Sequence, residues 1–131
     1  MSDSPESVVR EFYAAWADPK ADVLGSFFAD EAEWHDGPQG VRRGAAAIRD
    51  EITSQLTAVG GTTVEVKTLL SDGNTVMVEQ VSHGTFRGKH IYTTVMAVFE
   101  FTADGRILQF REAYDLKSML DQMKAAAQAG G

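Results

Sequence analysis

Lys89-His90-Ile91-Tyr92-Thr93-Thr94-Val95-Met96-Ala97-Val98-Phe99-Glu100-Phe101 leads through Thr102-Ala103-Asp104-Gly105 into Arg106-Ile107-Leu108-Gln109-Phe110-Arg111-Glu112-Ala113-Tyr114. Two runs rich in β-branched and aromatic residues, parted by a short Asp-Gly turn, predict paired strands. So short a connection demands an antiparallel pair, because parallel strands need a long crossover. The same period of two extends upstream over Thr62–Leu70 and Thr75–His83. Ser71-Asp72-Gly73-Asn74 and a Gly84–Gly88 connection supply the turns. Four strands in a row make a meander.

Before Gly60-Gly61 the pattern is helical. Ser4 or Asp3 can cap a first helix, with Pro5 tolerated in its first turn. Val8, Val9, Phe12, Ala15 and Trp16 form its apolar stripe, and Asp18-Pro19 ends it. A second short helix is read through Val23, Leu24, Phe27 and Phe28, followed by a short strand over 32–36 and the turn Gly37-Pro38. A third helix starts near Gly44 and carries Ala45, Ile48, Ile52 and Leu56 on one face. Asp115 caps a last helix through Leu116, Met119, Leu120 and Met123. Helices first and a meander afterwards is an α+β layout: a curved, cone-shaped sheet with the N-terminal helices on its concave face, enclosing a pocket. One domain over 1–131 is expected, with a tail from about 125 that frays.

The chain's 131 residues include 12 Lys+Arg, 19 Asp+Glu and no cysteine, for a formal net charge of −7. That average field repels nucleic acid and anionic membrane surfaces. Arg42-Arg43 is the only basic doublet. Without cysteine there are no disulfides and no thiolate chemistry, in keeping with a cytoplasmic setting. The polar N-terminus argues against a secretory signal, and no apolar run is long enough to span a bilayer. Small molecules or other proteins remain as partners.

Alternation on the last strand puts Leu108, Phe110, Glu112 and Tyr114 on one face, and Ile107, Gln109, Arg111 and Ala113 on the other. Glu112 thus lies on an apolar face, where a carboxylate needs a partner, a proton or a pocket. The alternative reverses the faces and leaves Glu112 in solvent or paired with Arg111 across a dimer. Asp36, directly after the Trp34-His35 step, is the second acid/base candidate at the cone's mouth; as a residue before Gly it can equally be a turn residue. Gln80 and Ser82 sit at the end of a core face and can orient a carbonyl, hydroxyl or water, or satisfy a neighbouring strand. Trp34, Phe110 and Tyr114 shape the walls. Tyr13 and Trp16 are core aromatics, one of which can line the pocket. His35, His83 and His90 have no metal-ligand spacing, and no cofactor is called for.

Phe27-Phe28-Ala29-Asp30-Glu31-Ala32-Glu33-Trp34-His35-Asp36-Gly37-Pro38, then Arg43-Gly44 and a helix, resembles the nuclear-transport-factor-two-like superfamily, which holds ketosteroid isomerases, SnoaL-like cyclases and limonene-epoxide-hydrolase-like proteins. The string from Val95 to Ile107, continuing through Phe110-Arg111-Glu112-Ala113-Tyr114-Asp115-Leu116, is most similar to the epoxide hydrolase branch. The resemblance implies a cystatin-like α+β barrel, acid/base work on a small apolar metabolite, and a homodimer formed through the outer sheet face. Met77, Val81 and Ile107 are expected to lie on that outer face. Gln80-Val81-Ser82 stands where the epoxide hydrolase pattern has Arg-x-Asp, and Glu112 where it has its other aspartate. Trp34 and Asp36 hold the place of that pattern's tyrosine and asparagine pair. Against ketosteroid isomerases, Asp36 falls on the general base, Phe12 (or Tyr13, with a one-residue slip) on the oxyanion tyrosine, and Ala97 on the protonated acid. Isomerisation, cyclisation or hydration is the implied reaction; a non-catalytic binding or dimeric interaction module is the alternative.

Overall fold

A computed structural model describes residues 4–129. The elements run α1 (Pro5–Ala14), α2 (Ala21–Gly25), β1 (Phe28–Asp36), β2 (Val41–Arg43), α3 (Ala45–Val59), β3 (Thr63–Asp72), β4 (Thr75–Phe86), β5 (Lys89–Phe101), β6 (Ile107–Tyr114) and α4 (Leu116–Ala129). The six strands form one curved sheet in the order β2-β1-β6-β5-β4-β3. β3 to β6 are the antiparallel meander, whereas β1 joins the sheet parallel to β6 and so makes it mixed. The edges β2 and β3 do not pair with each other, so the cone is an open sheet and not a closed barrel.

The helices start and stop where their residues dictate. Ser4 Oγ accepts from the Ser7 amide at 3.2 Å and caps α1; Asp3, the other candidate, lies outside the described residues. Asp115 Oδ1 accepts from the Ser118 amide at 2.9 Å at the head of α4. Phe12 anchors the core, with the rings of Phe27, Phe28 and Phe110 each within 5.6 Å of its own. Phe99 stacks on Phe110 at 4.5 Å, tying β5 to β6 beneath α1.

Three expectations are corrected. Phe27 and Phe28 are not helical: α2 ends at Gly25, and the Phe27 carbonyl accepts from the Ile107 amide at 2.9 Å, so pairing with β6 draws the chain into the sheet four residues early. Ile107 is not on the outer face but fully buried. Glu100 pairs with Gln109 and Phe101 with Ile107, leaving Leu108 as an extra residue. This bulge reverses the alternation on its N-terminal side and turns Ile107 inward. The tail expected from about 125 is instead part of α4, which continues through Ala129 with Ala126 buried. Gly130 and Gly131 lie outside the described residues.

Candidate active site

A cavity of about 330 Å³ opens between the sheet, α1, α3 and α4. Its size falls within the range of about 300–1,000 Å³ usual for small-molecule sites. Tyr13 and Trp16 reach it from the first helical segment, Trp34 and Asp36 from β1, and Gln80 and Ser82 from β4. Phe110, Glu112 and Tyr114 complete the wall from β6. The side chains singled out in the sequence therefore border one space.

Asp36 and Glu112 are register partners across the parallel β1–β6 pair, which sets two carboxyls side by side. Asp36 is almost wholly buried, at 2% exposure. Its Oδ1 accepts from Tyr114 Oη at 3.0 Å and its Oδ2 from Gln55 Nε2 at 3.2 Å. Burial pushes its carboxyl up to about 6, against the pull of those two donors. Glu112 keeps some accessible surface, as a group on a cavity wall must. Its Oε1 accepts from Trp34 Nε1 at 2.8 Å, and its carboxyl lies within hydrogen-bonding reach of the Asp36 carboxyl. Burial raises it to about 8, with the Asp36 charge pushing the same way. Arg111, offered as a partner for Glu112, faces outward and pairs with Glu100 of its own chain.

The far wall carries an unusual hydroxyl. Tyr13 is 4% exposed, and its Oη has no hydrogen-bond partner among the described residues. Gln80 and Glu112 lie close enough to bias its proton in opposite senses, but burial dominates and drives the phenol well above its ordinary value. Ser82 Oγ donates to Gln80 Oε1 at 2.9 Å, which fixes the amide on the cavity wall beside Tyr13. A buried donor without a partner is expensive, so the Tyr13 hydroxyl is an invitation to a ligand or water.

Several lining residues were not singled out in the sequence. Glu51 and Gln55 come from α3, and Met119, Leu120 and Met123 from α4. The signal for the first pair was present: Glu51 and Gln55 lie three and seven residues after Ile48, beside the buried stripe. Gln39 gave none, because it belongs to a short turn, and neither did Arg42, which stands behind the lining in a three-residue strand too short for a periodic pattern. His83 and His90 hydrogen-bond to each other at 3.0 Å and do not border the cavity. Among the described residues no three His, Cys, Asp or Glu side chains are grouped to hold a metal ion. No described helix is long and apolar enough to cross a membrane.

The model of the SnoaL-like domain matches residues 9–110. The chain belongs to the SnoaL-like domain family. No curated protein matches the sequence. Among solved structures the SnoaL-like chain is similar to SalBIII, an epoxide hydrolase/cyclase-like enzyme of pyran ring formation in the polyether salinomycin. The two share 24% identity over 87% of this chain and 92% of that one, with a TM-score of 0.77. It is also similar to a Mycobacterium tuberculosis LEH-like epoxide hydrolase, with 21% identity over 95% and 92% and a TM-score of 0.79. An NTF2-like protein from Burkholderia pseudomallei K96243 aligns at 18% identity over 93% and 98%, with a TM-score of 0.80. At these identities the likeness is one of fold, which hosts many chemistries. One departure becomes concrete within it. Ala97, where the ketosteroid isomerase resemblance calls for an acid, is the ladder partner of Glu112, so this SnoaL-like domain carries its carboxyl one strand over.

Proposed function

We propose that this SnoaL-like domain is an enzyme that moves a proton within a small, largely apolar metabolite held in the cavity, with isomerisation or ring closure as the result. The observation that carries the reading is the adjacent carboxyl pair with unequal partners. Near neutral pH Glu112 keeps its proton and Asp36 is ionised, a division that suits an acid and a base acting together. Asp36 takes a proton from a carbon next to a carbonyl, Glu112 returns one elsewhere, and the carbonyl oxygen rests on Tyr13 Oη and the Gln80 amide. The proton then passes from Asp36 to its neighbour Glu112, which restores the pair. Donors already in place where charge develops are the largest source of such catalysis. SalBIII, which shares this fold, serves in pyran ring formation and lends the ring-closing version support. Epoxide hydrolysis by an Asp-Arg-Asp trio is disfavoured, because Gln80 and Ser82 are neutral where that pattern is charged. A cytosolic setting belongs to the reading, since the chain has no cysteine.

Deuterium uptake from D2O at the α-carbon of a small cyclic ketone tests this, followed by mass spectrometry at pH 7. Wild-type protein is expected to accelerate exchange over buffer. Asp36→Asn should return it to background, and Glu112→Gln and Tyr13→Phe should each lower it by about 10²-fold. If wild type matches buffer, and the variants retain its affinity for the ketone, the chain is a binding module and the enzyme reading falls.

A further inference from the structure

Asp36 and Glu112 are adjacent and chemically alike, so their surroundings must decide which one ionises first. Glu112 accepts one hydrogen bond, whereas Asp36 accepts two, on different oxygens. The two donors to Asp36 are themselves held by neighbours. Gln55 Nε2 donates also to Glu51 Oε2 at 3.1 Å. Glu51 Oε1 accepts from Arg42 Nε at 3.1 Å, and Arg42 Nη1 donates to the Gln39 backbone carbonyl at 3.3 Å. Gln39 Nε2 donates to Tyr114 Oη at 2.6 Å, and Tyr114 Oη donates to Asp36. Six residues drawn from β1, β2, β6, α3 and the Gly37–Gln39 turn close a ring at the cavity mouth.

We infer that this ring, through Gln55 as its positioning residue, fixes Asp36 as the base and Glu112 as the acid of the pair. Each link has a physical role. A hydrogen bond into a carboxylate favours its charged form. Because Tyr114 Oη accepts from Gln39, its own proton is directed at Asp36. Gln55 stands between Asp36 and Glu51, two acids that would otherwise repel each other, while Arg42 neutralises Glu51 from the solvent side. The charged and titratable groups facing Asp36 are Glu112 and Tyr114 from β6, Arg42 from β2 and Glu51 from α3. Opening the ring at Gln55 removes a donor and brings the Glu51 charge to bear. Both changes strengthen the hold of Asp36 on the shared proton and weaken that of Glu112, which erases the order between them. The inference rests on the reading of the pair as acid and base and assigns the origin of that order.

The test needs no substrate. The indole N–H of Trp34 donates to Glu112, so its 1H–15N signal, assigned with Trp34→Phe, reports Glu112 titration; side-chain 13C signals report Asp36. In Gln55→Met, which keeps the length but not the donor, the Trp34 midpoint should fall and the Asp36 midpoint rise, each by about one pH unit. Arg42→Met should shift both the same way, and Arg42→Lys should keep the wild-type midpoints. Arg42→Met also reads the ring if Gln55→Met does not fold. Unmoved midpoints in a folded Gln55→Met or Arg42→Met protein overturn the inference. Ketone exchange separates it from the functional reading: shifted midpoints without exchange leave the ring standing and the enzyme reading lost. Exchange with unmoved midpoints does the reverse.

Discussion

A carboxyl raised from 4.5 to about 8 by burial binds its proton more tightly in the folded chain than in the unfolded one. Between those two values the folded state of Glu112 holds the extra proton, so stability falls as pH rises through the window. It is full below about 4.5, where both states are protonated, and the loss is complete above about 8. Asp36 adds a smaller loss in the same direction, between 3.8 and about 6. Each pKa unit is worth about 1.4 kcal/mol, and solvent in the cavity reduces that ceiling, so a net loss on the order of 2 kcal/mol is expected from pH 5.5 to 8.5. Urea denaturation at both pH values measures it, and Glu112→Gln should remove most of the slope. A wild-type protein that gains stability across this range is incompatible with a buried Glu112. The inward direction of Glu112 was legible from alternation alone, since no irregularity separates it from Phe110 and Tyr114. The bond from Trp34 and the pairing with Asp36 were not, because both depend on β1 lying parallel to β6.

At the level of elements, the meander could be read from its turns, and α3 from its stripe between two glycines. β1 could not be bounded and β2 could not be seen, because tertiary pairing and not local preference sets them. The Leu108 bulge was invisible for a related reason: one added residue reverses a face without changing composition. The turn after β1 shows how tightly element and site are joined. Gly37 has φ +50°, and a Cβ there would lie 2.7 Å from Tyr114 Cε1. Gly73, at φ +60° in the β3–β4 hairpin, has nothing within 4 Å of such a Cβ. Gly73→Ala therefore measures backbone strain alone, about 1–2 kcal/mol. Gly37→Ala is expected to lose at least 1 kcal/mol more, because the Tyr114 ring must move off Asp36. Denaturation of the two variants checks the difference. Equal losses would mean that the turn and the tyrosine are not mechanically coupled.

Over the whole molecule, the inner face of the sheet is covered by α1, α3 and α4, while part of the outer face is bare. Leu70, Met77 and Met96 are each more than half exposed there. Leu70 pairs with Met77, and Met77 with Val98, which makes a row across β3, β4 and β5 that Met96, the partner of Glu79, flanks. Glu79 and Arg111 border the same shallow groove. A contiguous apolar row with a charged rim is the pattern of a protein contact, and a two-fold pair is its commonest form. We propose that a second copy of the chain covers this face. Ile107 takes no part in it, because the Leu108 bulge has turned that side chain into the core. A stable pair needs about 800 Å² from each partner, more than the row alone offers, so the charged rim must be included. Light scattering after size exclusion is expected to give twice the chain mass. Met77→Asp should give a folded monomer, since a charge at the centre of the row would be buried without a partner. Wild type that runs as a monomer at tens of micromolar would leave the face bare and the site complete within one chain.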